Sequence, residues 1–173
     1  YNALVVLAVS VLFIIAGTSI GQSLSETFKV LSIEVRPSWG STFSVVGESL
    51  KAQPTLGSGP NTFQNLWVLH KPLEINQTIF WNSDFSYGIG LIPTFFATTG
   101  IIGILAWLFF FVMFLCLGVK TIFYSLSDLF SRYVVTTTFL ISLFLWVMSI
   151  FYVPSVVTVV LTFFFTGLFA ASL

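Results

Sequence analysis

Chemistry in this chain has few side chains to draw on: its 173 residues include six basic residues, six acidic residues and one histidine. Arg36 stands in EVRPSWGSTF, just ahead of a stretch with helical periodicity. Its guanidinium stays charged at any physiological pH and presents a fork of donors that matches paired phosphate oxygens, which suits a pyrophosphate-linked lipid substrate. The plainer alternative is a surface arginine paired with Glu34 or a lipid headgroup. His70, with an ordinary pKa of about 6.5, is the side chain best suited to accept a proton at neutral pH. Glu74 and Asp84 are competing bases in the same segment, and a structural His70 bonded to backbone is the alternative role. Gly57, Gly59 and Pro60, in LGSGPNTF, lack both the Walker lysine and the dinucleotide glycine spacing, so they read as a structural turn. One histidine with two scattered carboxylates cannot supply the three protein ligands zinc requires, so no metal site is expected, and no cofactor. Cys116 lies alone inside an apolar run and can form no disulfide within the chain.

The composition decides the medium. The chain is 57% hydrophobic and 7% charged, with a mean hydropathy of +1.03, whereas a soluble domain is about 25% charged. That excludes a soluble fold. The charges cancel and form no basic stripe, so nucleic acid is not an expected partner. Tyr1 opens the chain, and an apolar run follows without the basic flank and cleavage site of a signal peptide. The chain therefore reads as a fragment, with further helices expected before Tyr1.

The elements that must position these residues follow from the apolar runs. An all-α integral membrane protein is expected, with about four transmembrane helices at 1–20, 89–118, 133–151 and 154–173. A long extracytoplasmic loop, 21–88, separates the first two, and a short loop, 119–132, separates the second and third. The run from 89 would extend about 45 Å if unbroken, more than a ~30 Å hydrocarbon core needs, so its start is expected to project, leaving 95–118 as the denser span. Within it, Ala97, Gly100, Gly103 and Ala106 form a small-residue stripe suited to close helix packing. Lys120 and Arg132 place the short loop in the cytoplasm by the positive-inside rule, and the long loop outside. In the long loop Trp39, Phe43, Val46 and Leu50 recur at helical spacing, predicting a short amphipathic helix that ends near Pro54. Trp67 and Trp81 suit a membrane interface.

Three segments, in this order, resemble the C-terminal half of the O-antigen ligase and polymerase superfamily of bacterial membrane glycosyltransferases. They are the arginine and tryptophan that open the loop helix (Arg36, Trp39), the turn LGSGPNTF, and the stretch ATTGIIGILAW (97–107), through which the loop re-enters the membrane. The resemblance covers roughly residues 36–107. It implies an all-helical protein of the bacterial inner membrane with its loop facing the periplasm. The implied reaction moves a glycan, without a metal, from a polyprenyl-pyrophosphate carrier to an acceptor glycan or lipid. Arg36 would hold the pyrophosphate. The family's second loop arginine has no counterpart, Lys71 being the nearest cationic substitute. Its histidine, expected near Ile89, is also absent; His70 comes some twenty residues earlier. Two other readings stand beside this one: an inactive homologue that binds the lipid-linked glycan, and a transporter or channel subunit. The last would call for ionisable residues within the spans, which hold almost none.

Overall fold

Three apolar helices carry most of the chain's C-terminal half. A computed structural model describes residues 35–123 and 129–173, together with the isolated positions 16, 23, 27 and 28. The expected first span and most of the loop before Arg36 lie outside the described residues. From Arg36 onward the chain is one unit, all-helical and without strands among the described residues: α1 (Trp39–Ala52), α2 (Phe63–His70), a 3-10 turn (Leu73–Gln77), α3 (Leu91–Phe123), α4 (Leu129–Phe151) and α5 (Val156–Ala171).

The spans expected at 89–118, 133–151 and 154–173 thus appear as helices with shifted ends. Two of them, α3 and α4, are long and apolar enough to cross a membrane, whereas α5 is a shorter apolar helix. Only 11% of the most apolar stretch of α3 is buried within the protein. A core helix of a soluble protein is apolar because it is buried; this one is apolar and uncovered, the pattern expected of a helix whose solvent is lipid.

The excess length of α3 is resolved by a break. Gly100 has φ 64° and ψ −165°, a combination open essentially to glycine alone. In a straight helix Phe95 and Trp107 would sit ~18 Å apart along the axis. Their rings instead stack with centroids 5.7 Å apart, so the chain turns sharply at Gly100. Residues 101–123 then match the 23 residues of α4, ~34 Å of helix each. Residues 91–99 form a separate arm whose first amide, Leu91 N, donates to Tyr152 O just beyond the end of α4 (3.2 Å). The excess length read from sequence is therefore taken up by a break, at a position read there as packing stripe. Of that stripe, Ala97 is fully buried and Ala106 is exposed. A Cβ on Gly103 would collide with the side chain of Thr99.

Two cores result. Ile92, Phe114, Val135, Phe139, Trp146 and Phe169 tie α3, α4 and α5 together. Hydroxyls reinforce the α4–α5 seam, since Trp146 Nε1 donates to Thr166 Oγ1 (3.0 Å) and Ser142 Oγ lies 2.6 Å from the same oxygen. Small polar residues allow close approach and interhelical hydrogen bonds where lipid supplies no hydrophobic drive. The second core, with Val45, Val46, Phe63, Leu66, Trp67 and Ala97, joins α1 and α2 to the 91–99 arm. Here Trp67 departs from its expected interfacial place: it is fully buried, with Nε1 donating to Ser83 O (3.1 Å).

Candidate functional site

Arg36 is placed by the start of α1. Pro37 is buried, and Ser38 caps α1 by accepting from Ser41 N at 3.1 Å, which satisfies one of the unpaired first-turn donors. The Arg36 guanidinium then reaches the far end of α4, where Nη1 donates to Phe151 O at 2.6 Å and Cζ lies 4.6 Å from the centre of the Tyr152 ring. Phe151 is the last residue of α4, whose terminal carbonyls lack helical partners and carry the negative end of the helix dipole. Arg36 therefore caps α4 and is stacked on an aromatic ring, a role the sequence did not disclose.

The amphipathic helix expected before Pro54 is present as α1, with Val46 and Leu50 of its apolar stripe packed in the second core. Trp39 and Phe43 stack on each other (5.8 Å, 17°) and stay half-exposed. The face buried against α3 is made of Ser41, Thr42, Val45, Val46 and Ser49. Its hydroxyls serve the arm: Ile89 N donates to Thr42 Oγ1 (2.9 Å), and Ser49 Oγ donates to Ala97 O (2.8 Å). Thus α1 runs alongside residues 89–97.

The LGSGP turn closes the break in α3. In a continuous helix Ile101 N and Ile102 N would bond the carbonyls of Ala97 and Thr98. Instead Ile101 N donates to Pro54 O (2.9 Å) and Ile102 N to Thr55 O (3.2 Å), while Ala97 O and Thr98 O accept from Ser58 N (3.3 Å) and Gly59 N (2.9 Å). The turn thus exchanges partners with the broken helix, so that its backbone groups are paired without the helical ladder. Gly57 and Gly59 have φ of 66° and 95°. Gly57 also lies directly on Gly100: a Cβ there would be 2.5 Å from Gly100 N. Beside this joint lies an open groove of about 550 Å³ between Leu56, Gly59, Pro60 and Asn61 on the turn and Phe95, Thr98, Ile102 and neighbours on α3.

The proposed bases lie elsewhere. His70 is the last residue of α2 and is half-buried. It lies within electrostatic reach of Glu48, which sequence reasoning did not single out. Lys51, hydrogen-bonded to Glu48 at 2.7 Å, holds that carboxyl below the usual carboxylate range, and His70 adds a smaller pull in the same direction. Glu48 is ~14 Å along α1 from Trp39, so Arg36 and His70 attend opposite ends of this helix. Lys71 Nζ donates to Trp81 O (2.6 Å), tying down the following loop. Glu74, in the 3-10 turn, and Asp84, next to the Ser83 that receives Trp67, are both exposed. Among the described residues, no three His, Cys, Asp or Glu side chains gather as metal ligands.

No family model, curated protein or solved structure matches the chain. The residues that sequence reasoning missed are Gly100, Tyr152, Glu48 and the hydroxyl face of α1. Only Gly100 left a readable signal: a glycine at the point where α3 exceeds the length of a span.

Proposed function

We propose that this chain is an O-antigen ligase- or polymerase-like membrane protein of cell-envelope polysaccharide assembly. In this reading it has about four spans and carries the long loop outside the cytoplasm. It engages a glycan on a polyprenyl-pyrophosphate carrier and passes it to an acceptor glycan or lipid. The observation that carries the reading is that the three segments of the resemblance meet as one unit: the helix begun by Arg36 and Trp39 lies along the arm of α3, and LGSGP seals the break within ATTG. In the transfer, an acceptor hydroxyl attacks the anomeric carbon and its proton passes to a base, His70 or Asp84, once the segment that carries it is brought to the Arg36 end of α1. The anomeric C–O bond breaks, and the pyrophosphate leaves with the electron pair, its charge met by the Arg36 guanidinium.

A second reading, binding without transfer, is favoured by the separation of Arg36 and His70 along α1. The transporter reading is disfavoured because no Asp, Glu, Lys, Arg or His lies between Leu91 and Val119, between Tyr133 and Phe151, or in α5.

The role of Arg36 is testable against its cap. Lysine can still donate to the Phe151 carbonyl, but it meets a pyrophosphate only as a point charge. In the full-length protein, with glycan transfer followed in cells that depend on it, Arg36→Ala and Arg36→Lys are both expected to lower transfer by about 10²-fold or more at normal membrane levels, as for loss of a charge-stabilising donor. Near-normal transfer in Arg36→Lys would leave Arg36 as a helix cap only. Topology is tested separately in a Cys116→Ser background. A cysteine at the exposed Asn76 is expected to react with an impermeant maleimide in intact cells and one at Ser131 is not; the reverse pattern would overturn the orientation.

A further inference from the structure

Four aromatic side chains form one ridge at the end of α4. The Trp39 ring meets Phe151 edge-on at 5.8 Å and stacks on Phe43, while Tyr152 lies under the Arg36 guanidinium. The four are 39 to 47% exposed. On α1 this exposure is imposed by packing, because the adjoining face, from Ser41 to Ser49, is buried against the arm of α3. Rotating Trp39 and Phe43 inward would break the hydrogen bonds of Thr42 and Ser49.

The height of the ridge is also fixed. It sits on the last residue of a helix ~34 Å long, close to the ~30 Å thickness of a hydrocarbon core. The arm that α1 follows begins at the same level, through the bond from Leu91 N to Tyr152 O. It then folds over the end of the bundle far enough for Phe95 to stack on Trp107. From the ridge the surface continues without a charge through Val153 and Ser155 to Val156, which is 81% exposed.

From this we infer that the Trp39–Phe43 side of α1 is a bilayer-docking surface: α1 lies in the plane of the membrane at the end of the α4 span. Trp39, Tyr152 and the two phenylalanines are seated at the boundary between acyl chains and headgroups, and Arg36 is at the depth of lipid phosphates. Indole and phenol rings favour that boundary because one end is apolar and the other can be wet, and an interfacial helix buries its apolar face there by about 5 to 10 Å. The inference rests on the membrane reading of α3 and α4, but not on glycan transfer.

The full chain, in a Cys116→Ser background and reconstituted in phosphatidylcholine–phosphatidylglycerol vesicles, would carry a nitroxide at Phe43→Cys, at Leu108→Cys on the exposed side of α3, or at the exposed Gln64→Cys. Collision rates with oxygen and with a water-soluble nickel chelate report depth. The label at 43 is expected to meet the nickel chelate several-fold less often than that at 64, and to lie shallower than that at 108. Nickel access at 43 equal to that at 64 would put the ridge in water, and protection from both reagents would put it under protein; either overturns the inference while leaving the span at 108 intact. A label at 108 that behaves as though in water would remove the membrane reading and this inference with it.

Discussion

Gly100→Ala is expected to destabilise the protein by more than about 3 kcal/mol, combining a backbone conformation that costs ~1 to 3 kcal/mol for a non-glycine residue with a collision that has no side chain to move. The new Cβ would overlap Gly57 N and lie 2.6 Å from Thr55 O, both backbone atoms. Relief requires separating the turn from the helix, and this strands Thr98 O, Ile101 N and Ile102 N, which the turn now satisfies, and leaves Ala97 O only the Ser49 hydroxyl. Unpaired backbone groups in an apolar setting cost several kcal/mol each. Gly57→Ala meets the same obstacle from the other side, with Gly100 N at 2.5 Å and Ala97 O at 2.8 Å from its Cβ. Both alter one joint, so the double variant is expected to lose little more than either single one. Gly47→Ala, in the interior of α1 with nothing within 4 Å of its Cβ, is the control and is expected to gain ~0.5 to 1 kcal/mol. Thermal unfolding in detergent would measure all four, and a Gly100→Ala protein as stable as the parent would show that the joint does not hold the fold.

Trp146→Ala is expected to cost ~3 to 5 kcal/mol, as for truncation of a large buried aromatic. Its ring is 2% exposed and packs within 5.3 to 5.4 Å of Trp107, Phe110, Phe111 and Phe163, joining α3, α4 and α5 at one residue. Trp146 also lines an apolar cavity of about 270 Å³ with Leu91, Phe95 and Trp107, so the deleted indole would enlarge an existing void instead of being filled by collapse. Its N–H bond to Thr166 supplies a second term, separable by Trp146→Phe, which keeps most of the packing and is expected to lose only ~1 kcal/mol. Equal losses in the two variants would assign the effect to the hydrogen bond and not to packing.

Much of the C-terminal half was legible because long, uncovered apolar helices obey a simple rule. Helices that expose apolar residues on all sides need only length and hydropathy, and both are local properties of sequence. The expected starts and ends of α3, α4 and α5 therefore miss by only a few residues. The helix α1 was legible from its apolar stripe, but the stripe is split: Val46 and Leu50 pack in the loop core, whereas Trp39 and Phe43 stay half-exposed. The buried side also carries the hydroxyls of Ser41, Thr42 and Ser49, because its partner is a helical arm with carbonyl and amide groups to satisfy. Trp67 went the other way, its indole N–H finding Ser83 O inside the loop core.

The sequence by itself determined the apolar character, the helical class and the three C-terminal helices, since these depend on composition and on periodicity within one segment. It also singled out Arg36 and the LGSGP turn, but not what they touch. Tertiary structure decided that Arg36 ends on the carbonyl terminus of α4 and that the turn completes a helix broken at Gly100. It also decided that Arg36 and His70 attend opposite ends of α1. The first two join residues tens of positions apart through backbone groups, which every residue carries alike. No pattern of side chains along the chain records such partners; only the folded path of the backbone brings them within hydrogen-bonding distance.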